Sequence, residues 1–264
     1  MSVILLVKLA LAPSIVASGT AAGKRWGHQV GGLVAGFPNT SSPILFFLAV
    51  ERGPAFAADA AVGTLLGLVA LAAYGLVYVW AATRVRWYCA LPIGWTAFLS
   101  VAWCLRKVEL TPMAAVAAAV TALALSLKFM PKLEGPEVPA TPQTKLKSHL
   151  PFRMGAAICL LLGLTAAAGW LGPALSGVLS AFPIASSVLT AGAHREAGAA
   201  GAKWVLMGIY MALMALILFT GLLPLLLPHM HLVQAFALAT AAGFLAQALL
   251  LWRRQQAAWL VCRL

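Results

Sequence analysis

Apolar residues run along this chain in blocks of about twenty, each long enough to cross a bilayer as a helix, separated by short stretches bearing glycine, proline and basic residues. The blocks lie at about 3–22, 28–50, 55–82, 86–105, 111–130, 152–171, 173–193, 202–227 and 231–252. The pattern predicts an all-α polytopic membrane protein of about nine transmembrane helices, with no room for a soluble domain. The segment ILLVKLALAPSIVASG resembles a signal peptide in length, but Lys8 lies inside its apolar part and no basic residue precedes it. It reads as a mature span.

One segment breaks the rhythm. Residues 131–149, PKLEGPEVPATPQTKLKSH, are rich in proline and charge and lack apolar periodicity, which predicts a linker. The organisation is then a first membrane repeat at 1–130 with five spans, a cytoplasmic linker at 131–149 and a second membrane repeat at 150–264 with four.

The word repeat rests on an offset of 145 residues (182 − 37 = 145) between two Phe-Pro pairs. At that offset Gly27 meets Gly172, Gly32 meets Gly177, Phe37 meets Phe182 and Pro38 meets Pro183. Ser41 and Ser42 meet Ser186 and Ser187, Glu51 meets Glu196, Gly53 meets Gly198, Gly63 meets Gly208, and Lys8 meets the basic Arg153. Five spans separate each element from its mate, and an odd number inverts the second copy. Inverted repeats of this kind are a common plan of secondary transporters.

Both copies interrupt an apolar span at its centre: FPNTSSP at 37–43 and FPIASS at 182–187. Proline removes a backbone donor and crowds the preceding turn, while Asn, Thr and Ser are helix-capping residues. Two discontinuous helices follow, with half-helix N-termini approaching mid-depth and offering N–H donors to an anion. The candidate substrate-binding residues are Pro38, Asn39, Thr40, Ser41, Ser42, Pro183, Ser186 and Ser187, with Lys8 and Arg153 adding positive charge. Glu51, Arg52, Arg195 and Glu196 at the ends of the broken spans, and Asp59 near the start of the third, are candidates for coupling or gating.

Plainer readings stand beside these. Proline kinks with Ser or Thr bonded back to the helix serve packing in many membrane helices. The glycines suit close helix contact, Lys8 and Arg153 suit snorkelling, and the charged pairs suit interfacial positions. The sequence leaves open whether 28–50 and 173–193 cross fully or re-enter. His28, His194, His229 and His231 fall near span ends, where interfacial placement is expected.

Composition agrees with a membrane setting: 62% of the 264 residues are hydrophobic and 9% charged, against about a quarter charged in a soluble domain. The net charge of +12 fits cytoplasmic loops meeting anionic headgroups rather than nucleic acid, since no basic patch is interleaved with aromatics. Thirteen basic residues fall in loops after odd-numbered spans or in the C-terminal tail, among them Lys24, Arg84, Lys132, Arg195 and Arg254. Only Arg52, Arg106 and Lys107 fall on the other face, which puts the N-terminus outside and the C-terminus in the cytoplasm. Cys89, Cys104, Cys159 and Cys262 form no pair or Cys/His cluster and are expected as buried small hydrophobes. Neither a metal nor any other cofactor is expected.

The doubled GG-x-x-A-G-F-P-like segments at 31–42 and 176–187 resemble those of GlpM-like bacterial inner-membrane proteins. More distantly, the inverted five-helix plan resembles the drug/metabolite transporter superfamily, which implies export of small molecules. This chain departs from that superfamily's ten helices by its nine candidate spans and its external N-terminus.

The expected function is secondary transport of an anionic or amphipathic small solute by alternating access, in a bacterial inner membrane. The alternatives are a flippase for polyprenyl phosphate or phospholipid, and a non-transporting membrane subunit of an envelope polysaccharide system. An enzyme is not expected, because GxSxG, HExxH and His/Asp clusters are missing from the sequence. The expected partners are membrane lipids, a small anionic solute or lipid phosphate, and a second copy of the chain in a homodimer, with no nucleic acid.

Overall fold

The structure, a computed structural model, describes residues 41–133, 162 and 170–261. Its helices are α1 (Ser41–Arg52), α2 (Pro54–Ala82), α3 (Trp87–Leu105) and α4 (Pro112–Phe129), then α5 (170–180), α6 (Ile184–Leu226) and α7 (Leu232–Val261). No strand occurs among the described residues. Five stretches are long and apolar enough to cross a membrane: Pro54–Ala82, Trp87–Leu105, Pro112–Phe129, Ala197–Leu226 and Leu232–Leu249. They match the third, fourth, fifth, eighth and ninth sequence blocks. The first block, residues 28–40 of the second with most of its predicted break, and nearly all of the sixth lie outside the described residues.

Two of the three positive-φ glycines among the described residues, Gly53 and Gly198, stand at chain reversals. Gly53 (φ 96°, ψ 163°) stands between α1 and α2, followed by Pro54 at the first helical position, where a missing N–H costs nothing. A straight helix would hold Ser41 and Thr64 about 35 Å apart. Instead both side chains reach Ser180, Ser41 Oγ donating to its carbonyl at 3.2 Å and Thr64 Oγ1 lying 3.0 Å from its hydroxyl. Helix α1 therefore folds back on α2.

The same reversal occurs inside α6. Ala197 (φ −130°, ψ 18°) and Gly198 (φ 66°, ψ −160°) leave helical geometry there. Before the glycine, His194 Nδ1 lies 3.3 Å from Tyr78 Oη. After it, Tyr210 Oη donates to the carbonyl of Ala72 at 2.9 Å. Sixteen residues of continued helix (210 − 194 = 16) would carry Tyr210 about 24 Å onward, yet its partner lies six residues back along α2. The limb 184–196 thus runs parallel to α2 and the limb from 199 runs antiparallel to it. A third reversal joins α6 to α7, where the Phe219 and Phe236 ring centroids lie 6.0 Å apart.

Helix α2 is the hub, contacting α1, α3, α4 and α6. Its apolar window is 72% buried, against 22% for α3 and for α4, which leaves their outer faces for lipid. Small residues let α5 approach it with backbones touching. A Cβ on Gly67 would stand 2.6 Å from the Val178 carbonyl oxygen, and one on Gly63 or Gly177 would collide with the carbonyls of Ala174 and Ala60. Helix α3 packs on α2 through Ala90, Gly94, Phe98 and Ala102 at four-residue spacing. A Cβ on Gly94 would lie 2.8 Å from the Tyr74 ring. Cys89 and Cys104 fall off that stripe and are exposed, which corrects the expectation that they are buried: lipid supplies the apolar surroundings their positions require.

The two ends of the bundle differ in charge. Trp80 Nε1 donates to the Phe129 carbonyl at 3.1 Å, joining the C-terminal ends of α2 and α4, and the Tyr78–His194 contact brings the end of the 184–196 limb alongside. Arg84, Arg86, Lys128, Lys132 and Arg195 therefore share one end. Arg52, Arg106 and Lys107 lie at the other, together with Glu51 and Glu109.

Candidate functional site

The break predicted in the seventh block is present: α5 ends at Ser180, residues 181–183 are non-helical and helix resumes at Ile184. Pro183 has no N–H to give to the Leu179 carbonyl four residues back. The four carbonyls orphaned at the end of α5 each find another donor. Ser180 Oγ donates to Gly177 O at 2.7 Å, Ala181 N to Val178 O at 3.2 Å and Phe182 N to Leu179 O at 3.0 Å. Ser41 Oγ takes the last, Ser180 O.

Ser41, Thr64 and Ser180 make a closed hydroxyl cluster close to the middle of α2, each at most 3% exposed. Thr64 Oγ1 also bonds the Ala60 carbonyl at 2.9 Å. Three hydroxyl hydrogens thus serve four contacts: to Ser180 O, to Gly177 O, to Ala60 O and between Thr64 and Ser180. One contact must share its proton with another. The Phe182 ring fills the break from the side, its centroid 5.3 Å from Phe98 and 5.8 Å from Trp95.

Beyond the break a second polar group runs along the limb 184–196. Ser187, Thr190 and His194 recur at helical spacing and face Tyr74 and Tyr78, themselves four residues apart on α2. Trp95 Nε1 donates to Ser187 Oγ at 2.9 Å. The Tyr74 hydroxyl pairs with Ser187 and Thr190 across the helix contact, more loosely than Trp95 does with Ser187, and Tyr74 and Thr190 are both 0% exposed. Along α2, ten residues or about 15 Å separate Thr64 from Tyr74, so the two groups are distinct.

A third cluster is fully partnered. Tyr210 Oη and Ser126 Oγ both donate to Ala72 O, at 2.9 and 3.1 Å, and lie 3.1 Å from each other. It ties α4 and the antiparallel limb to α2, and a Cβ on Gly75 would collide with the Tyr210 hydroxyl.

Of the residues singled out from the sequence, Ser41 and Ser187 are buried and bonded, but in different clusters. Ser186 and Ser187 lie in the first turn of the resumed helix rather than in the break, because helix restarts at Ile184. Ser42 and Ser186 are half-buried, and Pro183 is buried at the cap. Glu51, Arg52 and Arg195 are exposed at the helix ends, as is Asp59 in the second turn of α2. Glu196 closes the short limb. Lys8, Pro38, Asn39, Thr40 and Arg153 lie outside the described residues.

Sequence reasoning missed Thr64, Tyr74, Ser180 and Thr190, and did not foresee that His194, near a span end, is 9% exposed against Tyr78. The 187–190–194 spacing was the one hint, and it does not say that these residues meet a polar partner across the interface. Buried polar residues among those described include no Asp, Glu, Lys or Arg, and no cluster of three or more His, Cys, Asp or Glu among them could hold a metal.

No family model matches the chain, and no curated protein or solved structure matches it. The resemblances to GlpM-like proteins and drug/metabolite transporters therefore rest on the quoted sequence segments alone.

Proposed function

We propose that the chain is a secondary transporter that moves an anionic or amphipathic small solute by alternating access between two inverted repeats. One geometric observation carries the reading. Gly53 and Gly198 both reverse the chain and stand 145 residues apart, and α3 and α7 start at Trp87 and Leu232, again 145 apart (232 − 87 = 145). The long limb after each glycine is 29 residues in Pro54–Ala82 and 28 in 199–226 (226 − 198 = 28), and the two limbs run antiparallel. Cross-contacts match as well: Phe46 of α1 meets Phe236 of α7 at 5.3 Å, and Ser187 of the short limb meets Trp95 of α3.

Two halves of opposite direction around a helix broken at mid-depth suit a rocking mechanism. The concentration of basic residues at the Arg84 end supports a cytoplasmic placement for that end, hence an external N-terminus and a cytoplasmic C-terminus. The test is solute flux in liposomes carrying the purified full chain, with small organic anions, sugar phosphates and polyprenyl phosphate offered in turn. Loss of flux in Ser187→Ala and Ser42→Ala variants of unchanged melting temperature supports the reading. Normal flux in both sinks it, and movement of polyprenyl phosphate alone turns it to a flippase.

A further inference from the structure

Two helix C-termini meet at one end of the bundle, that of α2 after Trp80 and that of α4 at Phe129. The last carbonyls of a helix have no donor within it, and a nearby lysine or arginine often supplies one. Here neutral groups do so. Thr83 Oγ1 donates to Trp80 O at 2.7 Å, and the amides of Arg84 and Val85 donate to Ala81 O at 2.9 Å. Across the junction Trp80 Nε1 donates to Phe129 O at 3.1 Å, and Met130 N donates to Ser126 O at 3.0 Å.

The cations beside these carbonyls are therefore not needed to cap them. Arg84 reaches Trp80 O only at 3.5 Å, its guanidinium lying 5.6 Å from the centroid of the Trp80 ring. Lys128 in the last turn of α4 and Lys132 just beyond it are exposed. Of the described carboxylates, Glu51, Asp59 and Glu109 belong to the other end of the bundle. Glu196 ends the limb that lies on the Tyr74–Tyr78 face of α2. Trp80, two residues past Tyr78, is turned about 200° from that face.

The surface running away from the three cations is apolar and open. Trp80 is 43% exposed, and Phe129 and Leu125, one turn apart on α4, are 58% and 46% exposed. The opposite end of the bundle differs. There Arg52 follows Glu51, Lys107 is two residues from Glu109, and the Arg106 guanidinium lies 3.4 Å from the centroid of the Trp103 ring. Three cations without counter-charge above an apolar strip complement, in sign and in layout, a phosphate carried on acyl chains.

We propose that Arg84, Lys128 and Lys132, grouped around the Trp80–Phe129 junction, bind the headgroup of an anionic phospholipid whose acyl chains lie along the outer face of α4. The site does not depend on transport, so its failure and the failure of the transporter reading are separate results.

Dioleoyl phosphatidylglycerol and dioleoyl phosphatidylcholine share their acyl chains and differ in net charge. Each is titrated onto the detergent-purified full chain, and the retained lipid is counted by native mass spectrometry. The wild type is expected to hold phosphatidylglycerol on the order of 100-fold more tightly, each of three cations contributing about fivefold. The combined variant Arg84→Gln, Lys128→Gln, Lys132→Gln is expected to lose that preference. The combined variant Arg52→Gln, Arg106→Gln, Lys107→Gln removes the same charge from the opposite end and is expected to keep it. Equal retention of the two lipids by the wild type would overturn the assignment. So would a preference that survives the first variant or vanishes in the second. Displacement of phosphatidylglycerol by inorganic phosphate at equal concentration would also overturn it, by making the group a site for a free anion.

Discussion

The hydroxyl of Ser41 donates to the carbonyl of Ser180, 139 residues further along the chain, at 3.2 Å. A residue from one hairpin thereby completes the broken helix that leads into the other. Ser41→Ala leaves that carbonyl buried without its side-chain donor and is expected to destabilise the protein by about 1–2 kcal/mol. Thermal melting of the purified variant measures it; an unchanged melting temperature would mean that water replaces Ser41 at the break.

Glycine substitutions separate two physical costs. Gly53 and Gly198 have positive φ, and a Cβ at either would meet nothing within 4 Å, so alanine there carries backbone strain only, about 1–3 kcal/mol. Gly67→Ala drives a methyl group onto the Val178 carbonyl and should cost more than either. Gly208, helical and with nothing within 4 Å of a Cβ, is the control: alanine there should be neutral or stabilising. Melting of the four variants ranks them.

The three positive-φ glycines of the described residues, Gly53, Gly172 and Gly198, were visible in the sequence as members of the 145-residue series, and the second break was marked by its Phe-Pro. The hydroxyl clusters were not visible. Serines and threonines scattered in apolar helices most often bond back to their own backbone, so nothing in the string of letters separates Thr190 from Thr220. Only the structure does so: Tyr74 lies beside the first, and the second bonds the Leu216 carbonyl of its own helix. The fate of Cys89 and Cys104 was hidden for a related reason, since apolarity does not tell lipid from protein core.

The Tyr210–Ser126–Ala72 cluster predicts coupling between substitutions. Tyr210→Phe and Ser126→Ala each remove one of two donors to the same carbonyl and should each cost about 0.5–1.5 kcal/mol. Their combination should depart from additivity, because the single variants leave Ala72 O one side-chain donor and the double variant leaves none. A double-mutant cycle of melting or denaturant stability is the check.

His194 lies just past the 173–193 block and before the span that begins at Ala197. Burial lowers its pKa below the ordinary 6.5, so the unfolded chain takes up a proton more readily than the folded one. Stability should therefore be full above about pH 6.5 and should fall as the pH drops from there through the folded value. His194→Gln should flatten that part of the pH profile of the melting temperature. A wild-type profile matching that of the variant would show that other groups govern the acid limb.

The orientation can be read chemically. In a chain whose native cysteines have been replaced, single cysteines at Arg52 and Arg84 should react with an impermeant maleimide from opposite sides of the membrane, Arg84 from the cytoplasmic side. Labelling of both from one side would mean that α2 does not cross.

The glycine–carbonyl contacts between α2 and α5 have a mechanical corollary. Backbones that touch at Gly63, Gly67 and Gly177 cannot slip by a turn without driving side chains of α2 into the carbonyls of Ala174 and Val178. Those two helices behave as an anvil, fixed against each other. The short limb 184–196 contacts α2 through rings and hydroxyls instead, and it is attached at one end by three non-helical residues and at the other by Gly198. Its two ends are thus joined to the rest of the bundle through non-helical residues, the geometry a hinged segment needs, and it carries the hydroxyls of Ser187 and Thr190.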